Sequence, residues 1–319
     1  MRITVYDAQT AREASAQELP VLLEDQNRVT WVDIRGPEED GLRAMQQVFR
    51  FHPLAIEDTR NQEQRPKVEE YPGYLFTILN AIEATADGVD FREVDIFLGP
   101  NYLVTVHLGE EPVLEEAHRR LEHAGPKLAA SAEHLFYVIL DATIDSYFPV
   151  IDMLEEQIDA LGDRIMTRPG QATLAQLFAL KRQLIDIWRV VWPQREALNS
   201  LAHYRTVFMS QDDLRYYMRD ASDHLIWVAD MVNTLRDTLT SMMDLYMSAT
   251  SNRLNYVVNR LTVFTVIIGL STVLSGFYGM NFLQTWPPFS SPWGVVFVLG
   301  LMVAVAGALL YLFRRLGWY

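Results

Sequence analysis

The residues of this sequence that could do chemistry are oxygen-bearing side chains close to the C-terminus. An amide stands at Asn281, a carboxylate stands at Asp244, and Asn255 lies between them. Amide and carboxylate oxygens are hard ligands that suit Mg²⁺ and other divalent cations. If several copies of the chain placed these residues around one axis, a ring of Asp244 would concentrate divalent cations and repel anions. A ring of Asn281 amides at the other end would suit a hydrated cation.

Small or hydroxylated residues form a stripe along the helix predicted before Asn281. A seam of small residues can pack against another helix, or it can line a water-filled pore. Two membrane helices per chain cannot enclose a pore, so the pore interpretation requires an oligomer. Asn281 itself can be a helix C-cap as well as a ligand. The residues of the stripe are Val258, Thr262, Thr265, Gly269, Thr272 and Gly276.

Two apolar runs must position these residues. Residues 261–277 and 293–313 contain no charged side chain. A helix needs about 20 apolar residues to cross a hydrocarbon core about 30 Å thick. We therefore predict transmembrane helices over 257–281, which would carry the stripe, and over 293–313, with an extracytoplasmic loop at 282–292. The alternative is a buried helical hairpin in a soluble domain.

The charges that flank the two runs predict an orientation. Arg253 and Arg260 precede the first run, Arg314 and Arg315 follow the second, and the loop between them is uncharged. Lys and Arg stay on the cytoplasmic side of a membrane. We expect a multi-pass protein of the cell (inner or plasma) membrane, in contact with the lipid bilayer, with both termini in the cytoplasm. Residues 1–10 lack a signal-peptide pattern, so insertion should depend on the C-terminal hairpin.

The composition excludes several classes of function. The chain has 27 Lys+Arg and 41 Asp+Glu, a formal net charge of −14, and no cysteine. Disulfides and thiolate metal sites are therefore excluded, and the acidity argues against nucleic acid as a partner. No HExxH motif, phosphate-binding glycine loop or nucleophile elbow is present, so we expect neither an enzyme nor a nucleotide-driven pump.

The expected fold is an α/β cytoplasmic domain plus a long α-helical stalk that continues into a two-helix C-terminal transmembrane region. The cytoplasmic domain would occupy 1–130, a long helical hairpin 131–209, the stalk 210–256, and a basic and aromatic tail 314–319. We predict strands at 2–7, 28–34, 74–80, 94–98 and 102–107 from their apolar patterns.

Three long helices follow from the periodicity after residue 130. The first is predicted over 132–166 and the second over 173–204, with a kink or local break at Pro193. From Asp212 the helical period continues, and neither Pro nor Gly follows until Gly269. If it is unbroken to Tyr278, this helix has about 67 residues and a length of about 100 Å.

The junction of the two apolar runs resembles a known family. Gly279-Met280-Asn281, at the end of the first of two C-terminal membrane helices, resembles the signature of the CorA family of divalent metal ion (Mg²⁺/Co²⁺) transporters, the 2-TM-GxN group. The segments HPLAIED at 52–58, QRPKVE at 64–69 and YMRDASDH at 217–224 are similar to cytoplasmic and stalk blocks of that family. The resemblance covers essentially the whole chain.

The resemblance implies a funnel-shaped homopentamer with five long helices around one axial pore. It implies a channel for Mg²⁺, often also for Co²⁺ or Ni²⁺, which intracellular Mg²⁺ holds shut by binding between cytoplasmic domains. By motif position, Asp58 and Asp220 correspond to ligands of that regulatory metal site, although without the motif they would be a helix cap and a surface charge. Gly279, Met280 and Asn281 would form the selective outer mouth. The positions that correspond to the pore lining are Asp244, Asn255, Val258, Leu261 and Thr272.

Two departures from the family pattern bear on ion preference. The loop after the signature contains no acid, and Gly269-Leu270 replaces the usual Met-Pro pair. We expect a divalent cation channel for Mg²⁺ uptake. One alternative is a Zn²⁺ or broad divalent (Co²⁺, Ni²⁺) transporter of the same family, and another is a non-conducting, membrane-anchored cytoplasmic metal sensor.

Overall fold

The computed structural model of the chain describes residues 1–319 except 8–9, 37–38, 63, 87, 125–130, 204–211, 281–285, 288–291 and 319. These residues divide into two compact units. The first comprises Met1–Asp163 and Leu174–Ser241, and the second comprises Arg164–Thr173 and Met242–Tyr319. The finer domain boundaries drawn from the sequence remain predictions.

A seven-stranded sheet forms the centre of the first unit. The strand order is β2-β1-β3-β7-β6-β5-β4, and every neighbouring pair is antiparallel except β3 and β7, which are parallel. Helices accompany the sheet, so the predicted mixed α/β class is confirmed. The strands are β1 (Arg2–Tyr6), β2 (Ala11–Glu13), β3 (Val29–Arg35), β4 (Lys67–Tyr71), β5 (Tyr74–Thr85), β6 (Gly88–Leu98) and β7 (Tyr102–His107).

Both faces of the sheet are covered, which explains why β5 is apolar without alternation. Its first nine residues are all buried, as expected for a strand with a packed layer on each side. On one face, Phe76 and Phe97 share a core with Ile56 of helix α3 (Pro53–Asn61). On the other face, Ala81 packs against Ala142 of helix α5 (Ala132–Asp145). Two short helices, α1 (Leu19–Glu24) and α2 (Glu39–Arg43), precede α3, and α4 (Pro112–Ala124) follows β7.

The single helix predicted over 132–166 is wrong. The structure has two helices there, α5 and α6 (Tyr147–Thr167). Pro149 has no N–H to donate to the preceding turn, which favours a new helix start. Ser146 at the junction donates its hydroxyl to the Thr143 carbonyl at 2.7 Å and accepts the Ile82 N–H at 3.1 Å. These two hydrogen bonds of Ser146 link the junction between α5 and α6 to β5.

Helix α7 (Gln171–His203) continues through Pro193, so a local break there is wrong, while the alternative of a kink remains a prediction. The next residue, Gln194, is fully buried, and its Oε1 accepts the Asn80 N–H of β5 at 2.8 Å. The buried Tyr147 hydroxyl donates to the Asn80 carbonyl at 2.8 Å. Packing and hydrogen bonds to the sheet thus hold α7 in place around the proline.

Helix α8 (Asp212–Tyr278) is one continuous helix of 67 residues, as predicted. Helix α9 (Pro292–Arg315) has 24 residues and ends in two arginines. Both helices are long and apolar enough to cross a membrane. Within the second unit, Arg253 Nη1 donates to the Pro169 carbonyl at 3.3 Å, which joins α8 to the turn after α6.

Candidate functional site

The stripe on α8 is open to its surroundings in the single chain. Of its members, only Thr262 is half-buried, and the others are exposed. Each helical residue turns by about 100°, so members separated alternately by three and four positions stay within about 40° of one line. Apart from the sequence neighbours and the backbone of α8 itself, no heavy atom of the described residues lies within 4 Å of a Cβ built on Gly269 or Gly276. No packing partner therefore covers these two glycines within the described chain.

The stripe hydroxyls are already oriented by their own helix. Thr262 Oγ1 donates to the Val258 carbonyl at 2.9 Å, Thr265 Oγ1 to the Leu261 carbonyl at 2.8 Å, and Thr272 Oγ1 to the Ile268 carbonyl at 2.8 Å. A hydroxyl has one proton and two acceptor lone pairs. Because the proton is used inside the helix, each hydroxyl oxygen is left as an acceptor that suits a cation or its water shell.

The continuation of the stripe toward the N-terminal end of α8 is polar and acidic. Asp244 and Asn255 are exposed and lie within about 60° of the stripe on the helix circumference. Ser251 is also exposed on this face and was not singled out from the sequence. The basic residues Arg253 and Arg260 point to the opposite side, about 140° or more away. The face that carries the oxygens is therefore free of positive charge between Asp244 and the end of α8.

The end of α8 places the signature tripeptide directly after its last turn. The Gly279 N–H donates to the Ser275 carbonyl at 2.9 Å, and the Met280 N–H donates to the Phe277 carbonyl at 3.3 Å. A Cβ on Gly279 would lie 3.2 Å from the Ser275 oxygen, which is tight for any larger residue. Asn281 lies outside the described residues, so its roles as ligand and as C-cap remain predictions.

Asp58 lies inside α3 rather than at its start. The cap of α3 is His52, whose Nδ1 accepts the Leu54 N–H at 3.2 Å, so the interpretation of Asp58 as a helix cap is wrong. Asp58 Oδ2 accepts from Lys67 Nζ at 2.7 Å, and the same ammonium donates to Glu69 at 2.8 Å. These three side chains are one quarter to two fifths exposed. The Asp58 carboxylate is thus accessible but paired within the chain.

Two more acidic side chains, Asp95 and Glu93, lie on β6 near Asp58. Asp95 is fully buried, and burial, followed by the nearby Glu93 carboxyl, raises its pKa well above the ordinary value. Glu93 is also buried and accepts the Gln64 N–H at 2.7 Å. Lys67 is the basic side chain that contacts Asp58, and Glu69 shares its ammonium group.

Asp220 belongs to a different neighbourhood, which the sequence alone did not reveal. It is exposed on α8, and its Oδ1 lies 3.9 Å from His224 Nε2. His224, Asp141 and Asp145 could offer ligand atoms within 4.8 Å of one another. Arg120 already donates to both aspartates at 2.7 Å. Because Arg120 donates to each of them in the single chain, both aspartates already have a hydrogen-bond partner.

Tertiary folding brings this cluster together from three helices. Burial raises the pKa of Asp141, the like charge of Asp145 acts in the same direction, and Arg120 opposes both. No spacing in the sequence links α4, α5 and α8. The described contacts pair Asp58 with Lys67 and place Asp220 beside His224, so the metal site that uses both aspartates remains a prediction.

The whole chain is similar to known ion transporters. A family model described as CorA-like Mg²⁺ transporter protein matches residues 26–315. A putative metal ion transporter of Bacillus subtilis, YfjQ, is 32% identical over 91% of this chain and 89% of its own length. The cobalt/magnesium transport protein CorA of Thermotoga maritima is 30% identical over 98% of this chain and 90% of its own length.

A solved structure supports the same conclusion at the level of fold. The complete CorA magnesium transporter from Methanocaldococcus jannaschii superposes with a TM-score of 0.83 at 22% identity, over 100% of this chain and 99% of that one. The match covers the α/β domain, the long helix α8 and the apolar helix α9 of this chain. The family is one of membrane ion transporters rather than enzymes. The family model and the two relatives together show that this chain belongs to the CorA-like Mg²⁺ transporter family.

Proposed function

We propose that the chain is one subunit of a homopentameric channel that takes up Mg²⁺ through an axial pore lined by α8. The observation that carries this proposal is the open stripe, which is continuous with Asp244 at one end and with the signature tripeptide at the other. The relatives named for magnesium or cobalt transport support Mg²⁺ and Co²⁺ as cargo. Two apolar helices fit membrane insertion.

The surface of α8 supports a role in conduction. The stripe presents hydroxyl oxygens, glycine backbone and no charge, so a hydrated ion would meet acceptors without a deep binding site that held it. Asp244 would raise the local cation concentration at the cytoplasmic end. Transport would be passive and driven by the concentration gradient and the membrane potential. The potential contributes about 2.3 kcal/mol per charge per 100 mV, and roughly twice that for a divalent ion.

Asn281 would give the outer ring its selectivity. Five amide oxygens around an axis are neutral hard donors, and Mg²⁺ loses its water reluctantly. Such a ring would contact the hydrated ion rather than replace its shell. Gly279, where a larger residue would approach the Ser275 carbonyl, would allow the chain to turn directly into this ring.

Intracellular Mg²⁺ would close the channel by binding between Asp58 of one subunit and Asp220 of its neighbour. Both side chains are at least one quarter exposed, and the contacts described for them lie in different parts of the first unit. Carboxylates from two chains repel each other unless a cation neutralises them. Loss of Mg²⁺ would therefore loosen the subunit contacts that keep the pore closed.

The decisive experiment is divalent flux into liposomes that contain the purified full chain. Uptake of Mg²⁺, Co²⁺, Ni²⁺ and Zn²⁺ is compared for the unchanged protein, for Asn281→Ala and for the matched amide control Gln284→Ala. We expect Mg²⁺ uptake that Asn281→Ala reduces strongly, that Gln284→Ala preserves, and that Mg²⁺ on the cytoplasmic side suppresses. Preference for Zn²⁺ would contradict Mg²⁺ as cargo. Absence of all flux from a folded oligomer would favour the anchored sensor.

We propose that both termini face the cytoplasm, since Arg314 and Arg315 end α9 and Arg253 and Arg260 lie before the apolar part of α8. The chain has no cysteine, so single introduced thiols can be labelled from one side of intact cells. A membrane-impermeant reagent should label a cysteine in the 282–292 loop from outside. Labelling of one at the N-terminus from outside would reverse the orientation.

A further inference from the structure

A cavity in the first unit lies on the face of the sheet that α5 covers. Its volume is about 240 Å³, and β5, β6, the start of α4 and the end of α5 line it. For comparison, an apolar cavity of about 150 Å³ is large enough to bind benzene. Much of the lining is aliphatic and almost fully buried, including Ala81, Ile82, Val113 and Ala142. The cavity therefore suits a ligand with a small apolar body.

Glu111 adds one buried acidic group to this apolar lining. The residue is 3% exposed, and neither carboxylate oxygen makes a hydrogen bond of ordinary geometry with the described residues. Burial raises the pKa of Glu111 to about 7, although the charges of Arg92 and His107 and the Val113 N–H oppose this shift. A buried polar group without a hydrogen bond is costly, so a partner at this carboxylate would be stabilising.

The other charged groups of the lining already satisfy one another. Arg92 donates to Glu83 at 2.9 Å through Nε and to the Glu110 carbonyl at 3.0 Å through Nη1. Arg120 donates to Asp145 at 2.7 Å and to Glu116 at 2.9 Å. Glu111 is therefore the carboxylate of this lining for which the described residues supply no ion pair.

We propose that this cavity binds a small organic cation whose ammonium group donates to Glu111 and whose apolar body packs on Ala81, Val113 and Ala142. A charge-assisted hydrogen bond would satisfy the buried carboxylate, and the aliphatic wall would bury the body of the ligand. A divalent metal ion fits less well, because Mg²⁺ requires six oxygen ligands in near-octahedral geometry. The lining supplies one carboxylate that lacks an ion pair among the described residues, whereas that geometry needs several oxygen ligands.

The test is a binding titration of the full chain in lipid nanodiscs with benzylamine, benzyl alcohol and Mg²⁺ as separate probes. Benzylamine and benzyl alcohol have nearly the same shape, but only the amine is a cation at about pH 8. Glu111→Gln keeps the side-chain shape and removes the charge. Glu110→Gln is the matched control, since its side chain is 88% exposed. Ala142→Leu, which fills the cavity, is a second variant, and circular dichroism checks that each variant is folded.

We expect saturable binding of benzylamine, with benzyl alcohol weaker by about tenfold or more, the factor typical of a charged hydrogen bond. Glu111→Gln should lose that preference, Ala142→Leu should weaken both probes, and Glu110→Gln should behave as the unchanged protein. Equal benzylamine affinity in Glu111→Gln, or no saturable binding to the unchanged protein, would overturn the proposal. Competition of Mg²⁺ with benzylamine that is lost in Glu111→Gln would also overturn the proposal, because the cavity would then bind a metal ion rather than an organic cation. None of these outcomes depends on ion flux.

Discussion

Replacement of Lys67 by Gln should make the channel more sensitive to inhibition by intracellular Mg²⁺. In the single chain, Lys67 Nζ lies 2.7 Å from Asp58 Oδ2 and 2.8 Å from Glu69 Oε1. If Asp58 is a ligand of the proposed regulatory site, the metal must either displace this ammonium or bind beside its positive charge. Lys67 would therefore compete with Mg²⁺ for the same carboxylate.

The size of the effect follows from the environment of the pair. The Lys67 and Asp58 side chains are 29% and 26% exposed, so their interaction lies between that of an exposed ion pair and that of a buried charged hydrogen bond. Exposed pairs contribute about 0.2–1 kcal/mol, and hydrogen bonds to charged groups contribute about 1.5–3 kcal/mol. An intermediate value of about 1–2 kcal/mol corresponds to a fall of roughly 5- to 30-fold in the inhibitory Mg²⁺ concentration.

The assay is uptake into liposomes at increasing Mg²⁺ on the cytoplasmic face, with the half-inhibitory concentration as the readout. Lys181→Gln on α7 is the matched control and should leave that concentration unchanged. Thermal unfolding of each variant establishes that the comparison is between folded proteins. An unchanged or higher half-inhibitory concentration for Lys67→Gln would refute the competition between Lys67 and Mg²⁺ at Asp58.

Two further predictions concern the stripe and the buried carboxyl of β6. Gly269→Leu should reduce flux by about tenfold or more while leaving the subunit folded, because its Cβ meets no atom in the single chain but would narrow the pore proposed for the oligomer. Ser271→Leu, on the opposite side of α8, should retain flux, and equal loss in both variants would count against the pore assignment. Asp95→Asn should flatten the pH dependence of stability. The raised folded-state pKa of Asp95 means that its stabilisation is complete below the unfolded value of about 3.9 and is lost as pH rises toward the folded value. Chemical denaturation at several pH values measures the free energy of unfolding of both proteins. If the two curves of this free energy against pH ran parallel, the pKa of Asp95 would not be raised in the folded state.

The elements that could be predicted from sequence are those with long, regular patterns. Helix α8 was predictable from Asp212 to Tyr278 because its period continues without a helix-breaking residue before Gly269. The edge strands β2 and β4 were missed, since Ala11–Glu13 is entirely exposed and Lys67–Tyr71 is mainly polar. Such strands depend on pairing with a neighbour rather than on their own apolar pattern.

The single helix predicted across Pro149 and the local break predicted at Pro193 were wrong for the same reason. Pro149 accompanies a new helix start, whereas Pro193 lies within a continuous helix. The local chemistry of proline is the same at both positions, and the difference comes from contacts made elsewhere. Gln194 bonds to Asn80 across 114 positions in the sequence, which no local pattern contains.

Charged groups of the candidate sites were predictable only in part. Asp58 and Asp220 were identified by their place in family motifs, but the pairing of Asp58 with Lys67 required the structure. The group of Asp141, Asp145 and His224 was missed because its members come from helices separated by many residues. Local spacing finds residues on one element, whereas sites built from several elements appear only when the chain is folded.

The unbroken course of α8 limits which insertions and deletions the chain can accept. Each residue advances a helix by about 1.5 Å and turns it by about 100°. One extra residue between Asp244 and Val258 would therefore rotate the Asp244 side chain about the helix axis, relative to Val258, by more than a quarter turn. Seven extra residues would restore their common face to within about 20°. Lineages that lengthen or shorten this helix should therefore do so by numbers of residues close to whole turns, such as seven or eleven, whereas the loop between α8 and α9 can vary in length by single residues.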